Sequence, residues 1–218
     1  MDPAPQLFSK PLPSQGLRAL KKARLRRDIA DAAARLFARH GYERVAVGDV
    51  AREAEVSEQT VYNYFRAKEH LVTDPHRHFQ DELARLIRTR DSGTTPAVAI
   101  RKLALSVVDG IRRVPAEQWR GELAHLAAIS PTVHRLVLEM SDRQAQAISA
   151  AISDTTAVAP EVARLQGIAV AGVFQIIINE AGRRTLDGQA QDQISRELRP
   201  AVLAVLAELD RWLAPSPR

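Results

Sequence analysis

The chain has 218 residues, 45% of them hydrophobic and 26% charged, enough for one large buried core or two modest ones. It has no cysteine, which excludes a disulfide framework and a thiolate metal site and fits a reducing cytoplasm. The net charge of +5 is uneven: residues 1–70 hold 13 Lys/Arg against 9 Asp/Glu, and the remainder 18 against 17. A basic excess of this kind suits a polyanionic partner, although a solvated cationic face has the same composition.

Residues 1–16, with Pro3, Pro5, Pro11 and Pro13 and no apolar run, read as a flexible arm and not as a signal peptide. Apolar residues then recur at spacings of three and four, and the chain reads as all-α with about nine helices. The first covers 17–39 and stops at Gly41. The second covers 47–54, and the third follows Ser57, a suitable N-cap, to Tyr64. A fourth runs from 67 to about 90, kinked or broken at Asp74 by Pro75. "DSGTTP", residues 91–96, is linker-like, with Thr95 as cap and Pro96 opening a helix to Arg113. Helices over 115–129, 131–153, 160–185 and from about 191 to Leu213 complete the series, and "APSPR" reads as a frayed tail. The uncharged stretch Leu165 to Asn179 is too short and too polar to cross a bilayer, so no membrane partner is expected.

"VAREAEVSEQTVYNYF", residues 50–65, packs two short apolar-spaced helices around a break. Val50, Ala51, Ala54, Val56, Val61 and Phe65 fall on inner positions. Ser57, Gln59, Thr60, Tyr62 and Asn63 are left outside. Gln59 and Asn63, four apart, share a face, and their amides suit the edge of adenine, while Thr60 offers a methyl to thymine. Tyr62 and Tyr64 bring hydroxyls within reach of phosphates, and Lys68 adds a charge beside a helix start. This is the chemistry of a helix-turn-helix on double-stranded DNA. A helical hairpin inside a core explains the spacing, but not the exposed polar run beside the six cations of residues 17–27. Lys22, Arg24 and Arg27, with Lys21 and Arg26, are candidates for phosphate or minor-groove contact; an ordinary solvated helix start is the alternative.

"LFARHGYERVAVGDVAREAEVSEQTVYNYFRAKEHLV", residues 36–72, resembles the DNA-binding region of the tetracycline-repressor (TetR) family. The likeness runs through Leu36, Phe37, Gly41, Tyr42, Val50, Ala51, Ala54, Val56, Ser57, Thr60, Val61, Tyr62, Tyr64, Phe65, Lys68, Glu69 and Leu71. It implies an all-helical homodimer with a helix-turn-helix DNA-binding domain at 17–66 and an effector-binding and dimerisation domain at 67–218. The expected DNA-binding set, from the residues and the resemblance together, is Lys22, Arg24, Arg27, Val47, Ser57, Gln59, Thr60, Tyr62, Asn63, Tyr64 and Lys68. The chain departs from the family pattern at Glu55, where a turn glycine is usual, at Val45 and Ala46, where a capping threonine is usual, and at Gly48, where an arginine is frequent.

The larger domain resembles the family in helix number and length only. Trp119, His125, Met140, Phe174 and Asn179 are its distinctive candidates for lining a cavity, though each also suits plain core. With 5% aromatics, a mostly aliphatic pocket and an apolar or amphipathic effector are expected. Ile168 and Gly172 on one helix and Leu198, Val202, Val205 and Leu209 on the last form wide apolar stripes, read as a four-helix dimer interface with an intramolecular core as the alternative. His70, Asp74 and His78 share a helical spacing, but Pro75 interrupts it, so neither metal nor cofactor is expected. No G-x-S-x-G, G-x-G-x-x-G, P-loop or H-E-x-x-H occurs, and no enzyme is expected. The reading is a dimeric regulator, a repressor released from a palindromic operator by a small molecule; an architectural or effector-independent DNA-binding protein is the alternative.

Overall fold

A computed structural model describes residues 16–76 and 78–214 of the chain. The expected arm, apart from Gly16, and the end of the expected tail lie outside the described residues. Those described form eleven α-helices and one 3-10 turn, with no strand. The order is α1 (Leu17–His40), α2 (Val47–Glu53), α3 (Glu58–Tyr64), α4 (Lys68–Thr73), the 3-10 turn Asp74–His76, α5 (Phe79–Arg88), α6 (Pro96–Ile111), α7 (Ala116–Trp119), α8 (Leu123–Ile129), α9 (Pro131–Ser153), α10 (Pro160–Leu186) and α11 (Gln191–Leu213).

Two helices of the sequence reading are divided. The stretch from 67 to 90 breaks where a proline follows Asp74, giving α4, the 3-10 turn and α5. The stretch 115–129 breaks around Gly121, and its close approach to α1 is the reason. A Cβ built on Gly121 would stand 2.0 Å from the Ala34 carbonyl oxygen. Only glycine lets the two backbones meet there, and a continuous helix would have carried the chain past that contact.

Two apolar clusters hold the molecule. One joins α5, α6, α7, α9, α10 and α11, with Leu83, Ile87, Ile100, Val108, Ile148 and Ile194 fully buried. The other gathers Ile29, Phe37, Val50, Val61 and Phe65 of the first three helices. It continues through Leu71 and Val72 of α4 into Leu123, Leu126 and Ala127 of α8 and Val133 and Val137 of α9. The three-helix unit therefore shares its core with the larger domain.

Helix α10 is long and apolar enough, at mean hydropathy 1.5, to cross a bilayer by composition alone. Here it is the axis of the larger domain, packed on α6, α8, α9 and α11. The expected interface set is split by the fold. Leu198 and Val202 are each 1% exposed, inside the core where α11 packs on α6, and Val205 and Leu209 lean on the same core. This corrects the reading of Leu198 and Val202 as interface residues, because the stripe faces inward. One apolar surface left open on the single protomer lies on α10, where Leu165 (55% exposed), Ile168 (51%) and Ile176 share one face with Gly172. A Cβ on Gly172 would meet nothing within 4 Å.

Candidate nucleic-acid interface and effector cavity

The turn between α2 and α3 sets the angle of the helix pair. Glu55 has φ +54°, a left-handed backbone carrying a side chain where glycine would be unstrained. The start of α2 has Ala46 in the N-cap position, which offers no acceptor. Asp49 Oδ2 instead accepts from the Ala46 backbone N–H at 2.8 Å, half of a capping box. Ser57 caps α3, accepting from the Thr60 N–H at 3.1 Å, and its hydroxyl meets that of Thr60 at 2.8 Å.

Val61 and Phe65 anchor α3 in the core, which leaves Ser57, Gln59, Tyr62 and Asn63 exposed and Thr60 and Tyr64 half-buried. Gln59 Nε2 donates to Asn63 Oδ1 at 3.2 Å, so the two amides are held together as one polar face. Thr60 spends its hydroxyl in the cap and keeps its methyl for contact. Val47, half-buried, opens α2. On α1, Lys21, Lys22, Arg24 and Arg27 are exposed, but Arg26 turns inward. Its guanidinium lies 4.8 Å from the Phe65 ring centroid, with Nε donating to Asp74 Oδ2 at 2.6 Å and Nη2 to Asp74 Oδ1. Lys68 is also drawn in: Nζ donates to the Tyr42 carbonyl at 2.6 Å and stands 4.1 Å from that ring's centroid. Burial lowers the Lys68 pKa and, with the Glu69 charge, raises that of the Tyr42 phenol. Both Arg26 and Lys68 are thus committed inside the protein, unlike their placement in the sequence reading.

A polypeptide that presents an amide pair and tyrosines on a capped helix, beside exposed cations, is built to lie on DNA, and the likeness to known proteins agrees. Residues 29–74 match the family described as bacterial regulatory proteins, tetR family. That stretch carries the DNA-binding region of the TetR family. The chain is 28% identical to the A-factor receptor protein of Streptomyces griseus over an aligned length of 215, covering 84% of this chain and 77% of that protein. To the regulator TcmR of Streptomyces glaucescens it is 29% identical over 112 residues, 51% of this chain and 49% of that one. Among solved structures, NalD of Pseudomonas aeruginosa, the secondary repressor of the MexAB-OprM multidrug efflux pump, superposes with a TM-score of 0.57 at 18% identity, covering 90% of this chain and 98% of that one. This protein is a DNA-binding transcriptional regulator with a helix-turn-helix.

The regulator's larger domain has a partly open cavity of about 80 Å³ between α5, α6, α7, α8, α9 and α10. Trp119, Met140 and Phe174 line it, as do Phe79, Leu123, Ile177, His76, Glu122 and Gln144. Of the other sequence candidates, Asn179 is exposed on α10, and His125 lies outside the lining, its Nδ1 buried without a hydrogen-bond partner. The aromatic share of the wall exceeds what composition suggests. Phe79 and Phe174 meet edge to face at 4.7 Å, and Trp119 is fixed by its Nε1 donating to Thr185 Oγ1 at 2.8 Å. Burial pushes the His76 imidazole down to about 4, while burial and the nearby Asp31 charge push the Glu122 carboxyl up to about 7. His76, Phe79, Glu122 and Gln144 escaped the sequence reading, although a lone acid in the apolar run "GELAHLAAI" was a visible signal. A roomier recess between α1 and α2, about 490 Å³, is an open polar groove lined by His40, Arg44, Asp49, Arg52 and Glu53, and does not enclose a ligand.

Proposed function

We propose that the regulator is a cytoplasmic homodimer that binds a palindromic operator sequence-specifically, represses there, and is released by a small apolar or amphipathic effector. The observation that carries the reading is the wall shared by the cavity and the DNA-binding unit. His76 lines the cavity, and Asp74, two residues earlier, holds Arg26 of α1, which in turn lies over Phe65 at the end of α3. On the opposite wall, Glu122 follows Gly121, whose backbone presses on Ala34 of α1.

A cavity of about 80 Å³ is smaller than a drug-sized ligand requires. An effector must therefore enlarge it, and both walls transmit that enlargement to α1. Turning α1 and α3 in each protomer would spoil their spacing on successive major grooves, about 34 Å apart. By linkage, DNA lowers effector affinity by the same factor. The exposed α10 face of Leu165, Ile168, Gly172 and Ile176, with Trp212 of α11 also open, supplies an apolar surface for a second copy. The likeness to a receptor protein over most of the chain supports a sensing role for the larger domain.

The small cavity itself favours a second reading, an effector-independent DNA-binding protein. Selection of bound fragments from sheared genomic DNA, at a stated salt concentration, tests both, with Tyr62→Ala as control. An inverted repeat enriched by the wild type, lost in the control and released by added small molecules supports the proposal. Enrichment that no compound reverses supports the second reading, and no enrichment at any salt overturns sequence-specific binding.

A further inference from the structure

Glu58, the first residue of α3, stands outside the DNA-facing set of the sequence reading. Its side chain is exposed, and it starts a row that Tyr62 continues one turn later, beside the row of Gln59 and Asn63. A glycine of α2 gives it its place. A Cβ built on Gly48 would strike Glu58 Oε1 and stand 3.2 Å from Cδ, so the carboxylate occupies the space that a side chain at position 48 would fill. Among the described residues the carboxylate has no hydrogen-bond or ion-pair partner. Arg52, one turn along α2, is engaged by Asp49 instead. Position 48 is where the TetR pattern frequently carries arginine, so this chain shows an acceptor where a donor is frequent.

That exchange alters which base the face can accept. A carboxylate has acceptors only. In the major groove guanine presents N7 and O6 and thymine O4, all acceptors, and adenine sets an acceptor beside its amine. Cytosine alone presents a donor, its N4 amine, without a neighbouring acceptor. Phosphate oxygens are acceptors of like charge, so Glu58 gains nothing from the DNA backbone. Residues early in a recognition helix are those that meet base edges. We propose that Glu58, seated over Gly48, is a specificity-determining residue that accepts from cytosine N4 at one position of each half-site; this rests on the sequence-specific reading above. Gln59 and Asn63 carry amides, which both donate and accept, so the two rows of α3 suit different bases.

The test selects duplexes from a randomised library with the full chain at one stated salt concentration, and repeats the selection with Glu58→Gln, Glu58→Ala and Gly48→Ala. The wild type is expected to hold cytosine at one position of each half-site by about tenfold over the other bases. Glu58→Gln should move that position to adenine, whose N6 and N7 a glutamine amide bridges. Glu58→Ala should leave it without preference and raise affinity for non-operator DNA, because a charge of the phosphates' sign is gone. Gly48→Ala displaces the carboxylate and should lower the cytosine preference several-fold. Preferences elsewhere in the half-site stay as in the wild type and show that each variant is folded. A cytosine preference that persists in both Glu58 variants overturns the proposal, as does a selected operator in which no position answers to residue 58; sequence-specific binding then stands. Selection of no sequence at all by the wild type overturns that broader reading and this one with it.

Discussion

At the scale of single residues, the reading head combines strain with bracing. The left-handed backbone of Glu55 costs about 1 kcal/mol against glycine, so Glu55→Gly is expected to raise the free energy of unfolding, read from denaturant titration, by that much without weakening DNA binding. Arg26 is the brace, shared between the Asp74 carboxylate and the Phe65 ring. A double-mutant cycle of Arg26→Ala and Asp74→Asn should show about 1.5–3 kcal/mol of coupling in stability, as expected for a charge-assisted pair. Coupling near zero would show the pair to be an ordinary surface contact. Asn63→Ala frees Gln59 from its partner and should relax base preference at one or two operator positions, at about 1–3 kcal/mol each; uniform weakening over all sequences would show backbone contact alone. The difference between Arg26 and its neighbours was legible in the helical register. Residue 26 precedes Ile29 by three and Ala33 by seven, on the inner stripe, whereas composition alone grouped it with Lys22, Arg24 and Arg27.

At the scale of elements, the helices were readable from periodicity and caps, and their breaks were readable only in part. Thr95 and Ser130 cap α6 and α9 through the N–H groups of Val98 and Val133, and a proline opens each helix, all local signals. The break at Gly121 depends on what α1 brings near it, which no local pattern encodes. Gly121→Ala should therefore force α7 and α8 away from α1 and cost about 1–3 kcal/mol, read as a fall in the melting temperature. Gly172→Ala is the contrasting case. Its Cβ enters open space on the protomer, so the protomer keeps its stability; a copy packed on α10 would be pushed off, and the sedimentation dissociation constant of the dimer should rise. An unchanged dissociation constant would remove α10 from the interface. The apolar stripe of α11 was visible in the sequence, but a stripe does not say what covers it. That is why Leu198 and Val202 read as interface and fold as core.

At the scale of the whole molecule, two buried groups titrate in opposite senses. Glu122, raised to about 7, binds its proton more tightly when folded, so its contribution to stability is lost as pH rises from the ordinary carboxyl range toward 7. His76, lowered to about 4, is protonated more readily in the unfolded chain, so its contribution is gained as pH rises from 4 to about 6.5. The two slopes, each at most about 1.4 kcal/mol per pH unit, offset one another between roughly pH 4.5 and 6.5. Glu122→Gln should expose the histidine slope, giving a melting temperature that climbs with pH over that window; a flat profile in the variant would refute the assignment. Glu122 was visible as a lone acid in an apolar run, but its meeting with His76 was not, because a cavity among six helices is a property of the assembled fold. The helix pair itself, by contrast, was legible in its helices and in the Ser57 cap, since these signals lie in one short stretch. Its apolar core is less self-contained: Leu123, Leu126, Ala127, Val133 and Val137 complete the cluster of Phe37, Val61 and Phe65. Modularity therefore has a limit in this fold. A recombinant sensor that exchanged residues 17–66 alone would leave those five side chains facing a foreign surface, so a working chimera must carry matching residues from α8 and the start of α9 along with its new head.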